Sequence, residues 1–125
     1  MSNFNVQIAT LSLGAFNGAT ELPLANLPSA GGGITVLEAW LHGPSAGTVV
    51  TGQVVTFGAV ATGGTPAING TVGAFAGTIV TAAGVVHKLT VSNAFVAGGY
   101  WIGFDQASGT VPAGTFLSVA YVMGK

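Results

Sequence analysis

The stretch Gly109–Lys125, GTVPAGTFLSVAYVMGK, decides the fold class. A turn-rich opening around Pro112 leads into a run of alternating residues. Extended backbone puts Thr115, Leu117, Val119 and Tyr121 on one side, and Phe116, Ser118, Ala120 and Val122 on the other. Both sides are mostly apolar, which is the mark of a strand covered on both faces. One face suits the core of a sandwich. The other is expected to meet another subunit.

The same pattern runs through the rest of the chain. Val, Thr, Ile and Phe are frequent, helical periodicity is absent, and Gly interrupts at short intervals. Strands are expected near Asn5–Leu13, Ala19–Leu24, Ile34–His42, Thr48–Val60, Ala67–Val72, Gly77–Thr81, Val85–Ser92, Tyr100–Asp105 and Thr115–Val122. Asn17-Gly18 and Asn69-Gly70 suit type I′ hairpins, in which both central residues need positive φ. Ala83-Gly84 is expected to close a hairpin between its flanking strands, and Gln106–Gly114 a longer one. The segments GTVVTGQVV from Gly47 and GTIVTAAGVV from Gly77 echo each other once, as two similar hairpins of one sandwich would.

Asn26–Gly33, NLPSAGGG, breaks the pattern, because three consecutive glycines sit poorly inside a strand. It divides residues 1–33, an N-terminal arm and hinge, from a β core at 34–125. The arm is apolar at Phe4, Val6, Ile8, Leu11, Leu13, Leu22 and Leu24. Exposed to water it would be an aggregation hazard. It therefore either pairs into the core sheet or reaches a neighbouring subunit. The expected fold is all-β: a single-domain antiparallel β-sandwich of jelly-roll type with an extended N-terminal arm.

Composition narrows the function. The chain has 125 residues, enough for one domain with a real core. It has no cysteine and no arginine, and its charges are Glu21, Glu38, Lys88, Asp105 and Lys125. Two separated lysines and a net charge of −1 argue against nucleic acid as a partner, since phosphate binding needs clustered cations. They argue equally against docking on anionic lipid. No stretch reads as a continuous membrane span, and the start lacks the basic and apolar regions of a secretory signal. Few charges also mean little repulsion when copies of one surface meet.

No catalytic, cofactor-binding or metal site is expected. Gly43-Pro44-Ser45-Ala46-Gly47 matches the G-x-S-x-G nucleophile elbow, but β-rich sequence follows it rather than a helix, and no histidine follows Asp105. It reads as a turn. Glu38 and His42 share a strand face with Trp40 between them, yet four strand residues span about 13 Å, too far to chelate one metal ion. His87 and Lys88 point to opposite faces. Lys88 reads as a guard against edge pairing, or more sharply as half of a salt bridge to Glu38 or Asp105 of another copy. Trp101 and Asp105 share the face opposite Tyr100, Ile102 and Phe104. That pair carries an alternative reading, a carbohydrate-binding module. Candidate interface residues are Phe4, Val6, Ile8, Leu11, Leu13, Trp40, Trp101 and Tyr121, since aromatic residues are favoured at interfaces.

The arm SLGAFNGATEL, the Gly-rich hinge, the nearly uncharged β core and the closing VPAGTFLSVAYVMG together resemble small virion proteins of tailed bacteriophages. The chain looks most like the capsid decoration (cement) proteins on the outside of the head, with head-fibre and tail accessory proteins as an alternative. The resemblance implies a β-sandwich or barrel, often trimeric, with its arm clamped onto the capsid. It implies partners in further copies of the chain and in a major capsid or other virion protein. It also implies a place on the virion surface after synthesis in the host cytoplasm. No functional residue transfers from it.

Overall fold

The computed structural model describes residues 5–58 and 66–124. The expected Phe4 contact, the end of the strand expected to reach Val60, and Lys125 lie outside these residues. Two five-stranded antiparallel sheets face each other across one core. In the first sheet β1 (Gln7–Ser12), β14 (Phe116–Met123) and β4 (Ile34–His42) lie side by side. Because β14 occupies the whole of one edge of β4, β9 (Val86–Lys88) and β11 (Phe95–Val96) share its other edge. The second sheet runs β10 (Thr90–Val91), β7 (Ile68–Ala74), β6 (Gln53–Phe57), β12 (Trp101–Gln106) and β3 (Thr20–Asn26).

The chain changes sheet at nearly every connection. With β9, β10 and β11 taken as one interrupted strand that lies mainly in the first sheet, β1, β4, that strand and β14 make up the first sheet, and β3, β6, β7 and β12 the second, to whose edge the middle piece β10 adds. The interrupted strand pairs with β4, then with β7, then with β4 again, and so binds the two sheets together along that side.

Four short strands gather at one end, each inside a different connection: β2 (Phe16–Asn17), β5 (Gly47–Val50), β8 (Thr78–Thr81) and β13 (Thr110–Val111). β5 pairs with β8, β2 pairs with β13, and a bridge between Val50 and Ser108 joins the two ribbons. The echoing segments at Gly47 and Gly77 thus pair with each other, Gly47 opposite Thr81 and Val50 opposite Thr78.

The core is the inward side of both sheets. Val36, Ala39, Leu41, Leu117 and Val119 from the first meet Val54, Val72, Ile102 and Phe104 from the second. Each large aliphatic or aromatic side chain buried there contributes roughly 1.5–3 kcal/mol. The alternation read in the last strand holds: Leu117 and Val119 are in the core, and the register places Ser118 and Ala120 on the outer side.

Several local expectations are corrected. The strand expected from Thr48 onward breaks at Thr51-Gly52, where Thr51 has φ 54, and its halves pair with β8 and with β12 in the second sheet. Asn17-Gly18 and Asn69-Gly70 form no I′ turns. Among the described residues only Thr51 has positive φ outside glycine, so neither asparagine can take the first position. Asn69 instead lies within β7. The turn at Ala83-Gly84 exists, but it separates β8, which pairs with β5, from β9, which pairs with β4. Gln106–Gly114 likewise crosses between sheets and closes no hairpin, because β12 and β14 lie in opposite layers.

The residues expected as an arm resolve into the pairing alternative. β1 pairs with β14 over six residues and β3 with β12, so each sheet takes one of them as its edge strand. The Gly-rich segment carries the chain from one sheet to the other through a short 3-10 turn at Ser29–Gly31. Gly33 there has φ 84, and a side chain on it would strike the carbonyl of Val96.

Candidate functional site

The outer face of the first sheet is a chemically distinctive surface. Its rows follow from register. Ser12, Phe116, His42 and Val86 lie side by side; then Thr10, Ser118, Trp40 and Lys88; then Ile8, Ala120 and Glu38. Ser118 and Ala120 are small and almost covered, beneath a rim of larger neighbours. Ile8 is 67% exposed, Val86 51% and Leu37 43%. Leu37 reaches this face through a bulge, since Val36 and Glu38 pair with successive residues of β14 and Leu37 has no partner.

Charge on the face cancels locally. Lys88 Nζ lies 2.7 Å from Glu38 Oε1, a diagonal contact between β9 and β4. The bridge expected to another copy is therefore made within the chain, because strand pairing brings the two side chains together. His42 stacks on its cross-strand neighbour Phe116, ring centroids 4.7 Å apart and 11° from parallel. The Glu38–Trp40–His42 stripe is thus real, with each polar member engaged by a neighbour. Beyond His42 and Phe116 the face runs into a depression of about 430 Å3, lined also by Pro44, Val85 and Val86.

The outer face of the second sheet carries the other expected pair. Ile102 and Phe104 point into the core, leaving Trp101 and Asp105 outside and partly exposed. Gly103 between them is roofed: a side chain on it would strike the Leu22 carbonyl and come within 2.6 Å of the Phe57 ring. The ring of Phe57 therefore lies over Gly103, between Trp101 and Asp105, and the pair does not frame an open cleft. Asp105 stands opposite Glu21 of β3 on one side and Gln53 of β6 on the other. Burial holds its carboxyl above the ordinary value of 3.8, and the charge of Glu21 adds to the effect.

The remaining expected interface residues divide. Val6 and Ile8 are exposed, and Trp40 and Trp101 partly so. Leu13 is buried in the core, and Leu11 and Tyr121, partly exposed, pack against it. Tyr121 donates its hydroxyl to Gln7 Oε1 at 3.0 Å. The reason is period two: Leu11 and Tyr121 stand on the inward side of β1 and β14, opposite to Ile8 and Phe116. Sequence reasoning missed Leu37 and Val86. A bulge and a strand broken at Leu89 leave no alternation to reveal them.

Gly43–Gly47 connects β4 to β5, and the Ser45 carbonyl accepts a hydrogen bond from Thr81 Oγ1 at 3.0 Å. Among the described residues no group of three or more His, Cys, Asp or Glu is placed to hold a metal ion, and no helix is long and apolar enough to cross a membrane. A second cleft, of about 210 Å3, opens between β7 and β11, lined by Thr56, Asn69, Thr71, Asn93, Phe95 and Tyr100. Comparison of the chain with protein-family models, with curated proteins and with solved structures found no match.

Proposed function

We propose that this chain is a structural virion subunit that docks through the outer face of its first sheet, in the manner of a capsid-decorating protein. One observation carries the reading. That face exposes Ile8, Leu37 and Val86 around nearly covered small residues, and its one ion pair is already satisfied internally. Such a surface gains by being covered, and its two charges are already paired, so no lone charge has to be desolvated. The low charge of the whole chain supports the same reading, and so does its resemblance to phage cement proteins.

Topology adds support. Taken in chain order, the eight strands described above place the first, eighth, third and sixth in one sheet, and the second, seventh, fourth and fifth in the other. Two interleaved Greek keys give this order, so it favours the jelly-roll architecture, which is common among capsid and lectin domains. No catalytic role and no cofactor enter the proposal. Partners are further copies of the chain and a major capsid or other virion protein, on the head or, alternatively, on the tail.

The test is co-sedimentation with capsids that lack this protein. Wild type is expected to bind. The double variant Leu37→Asp, Val86→Asp should weaken binding at least tenfold, about 1.4 kcal/mol, while folding normally, because both positions are exposed. Equal binding by the variant overturns the proposal. So does a wild type that ignores capsids but binds glycans in a manner abolished by Trp101→Ala.

A further inference from the structure

The two edge strands on the open side of the sandwich are unlike. β3 carries three features that oppose addition of another strand: the charge of Glu21, Pro23 with no N–H to offer, and a register break opposite Ile102–Gly103. β1, QIATLS, carries none of these. It has no charge, no proline and no glycine, and it pairs with β14 through six consecutive residues without a shift. On the other side of the molecule, β9–β11 binds the sheets together, so β1 is the one terminal strand of the two five-stranded sheets left both regular and unguarded among the described residues.

The free groups of this edge can be named. Leu13 N donates to Thr115 O, which sets the parity of the ladder. The peptide groups of Gln7, Ala9 and Leu11 therefore address β14. Those of Ile8, Thr10 and Ser12 point away from the sheet. All three residues are exposed.

We propose that this edge takes β1 of a second copy, antiparallel, about a two-fold axis that is perpendicular to the sheet and passes at Thr10. The first sheets of the two copies then form one continuous sheet. Three considerations select this occupant. A two-fold antiparallel pairing centred on Thr10 meets every free N–H of the edge with a free C=O of its copy, Ile8 lying opposite Ser12 and Thr10 opposite itself. An axis perpendicular to the sheet keeps both outer faces on the same side, so the apolar surface around Ile8 continues across the contact. Residues 1–20 contain no Asp, Glu, Lys or Arg, so two copies meet without repulsion, and a charged partner strand would gain nothing from the edge. The contact is isologous and closes at two. A trimer, which the resemblance implies, cannot be closed by it alone. It is independent of capsid docking, since it uses the edge of the sheet rather than its face.

Sedimentation and amide hydrogen exchange of the full chain test the proposal without any capsid. Wild type should be dimeric at high concentration, with the amides of Ile8, Thr10 and Ser12 protected, and protection should fall on dilution. Thr10→Pro removes an outward N–H that makes no bond within the sheet, and Ile8→Lys adds a charge at an exposed site. Each should weaken association at least tenfold while leaving the circular dichroism unchanged. A wild type that stays monomeric at its solubility limit overturns the proposal. So does an oligomer that Ile8→Lys leaves intact, or one whose Ile8, Thr10 and Ser12 amides exchange freely. A wild-type β1 dimer that fails to bind capsids would strike the docking proposal alone.

Discussion

Glu21 and Asp105 stand directly opposite one another on β3 and β12, two of the chain's three carboxylates placed side by side on the outer face of the second sheet. Like charges in register on antiparallel strands destabilise the pair by up to about 1 kcal/mol. Asp105→Asn should therefore stabilise the fold by a few tenths of a kcal/mol to about 1 kcal/mol at neutral pH.

The pH dependence of this pair has a definite sign. The Asp105 carboxyl binds its proton more tightly folded than unfolded, since its folded pKa is raised above 3.8. Its penalty is complete above the folded pKa, is relieved as pH falls from there towards 3.8, and is gone below that. The advantage of Asp105→Asn over wild type in urea denaturation should shrink across this acidic window. An advantage that grows on acidification would refute the assignment.

The Lys88–Glu38 bridge contributes little by itself. The side chains are 60% and 42% exposed, and pairs of this kind contribute about 0–1 kcal/mol. Lys88→Met and Glu38→Gln should each shift stability by under about 1 kcal/mol, and a double-mutant cycle should show coupling of the same small size. Coupling several times larger would mean that the pair is desolvated, as it would be under a docked partner.

Gly103→Ala should be among the most damaging small substitutions. Its methyl would collide with the Leu22 carbonyl and press on the Phe57 ring, so β3 must move away from β12. Overpacking of this kind costs typically about 1–3 kcal/mol. Thermal denaturation reads the loss, and hydrogen exchange should show the β3–β12 ladder opening first.

Gln106 is buried at the end of β12 and donates Nε2 to the carbonyls of Gly18 at 2.9 Å and Gly109 at 3.3 Å, while its Oε1 has no partner. Both carbonyls keep another donor without it: Thr20 Oγ1 for Gly18, and the Gly18 N–H for Gly109. Gln106→Leu also removes the orphaned oxygen. Its cost in chemical denaturation should stay near or below about 1 kcal/mol. A loss of several kcal/mol would show that the amide holds the β2–β13 ribbon in place.

What this sequence determines by itself is the all-β class, most strand positions, and which residues of a regular strand face inward. Leu117 and Val119, like Ile102 and Phe104, are legible because alternation is a local property with the same period whatever strand lies alongside. Tertiary structure decided the partners. Asn17-Gly18 looks like a hairpin turn, yet β2 pairs with β13, more than ninety residues away along the chain. Gln106–Gly114 looks like a hairpin loop and crosses between layers. Lys88 and Glu38 meet only because β9 lies beside β4. Pairing is a long-range choice, settled by how both sheets bury their inner faces at once, and no short window of sequence contains that sum. The unguarded edge of β1 belongs to the same class: six unremarkable residues become an interface candidate only once the other terminal strands of the two five-stranded sheets are seen to be closed or protected.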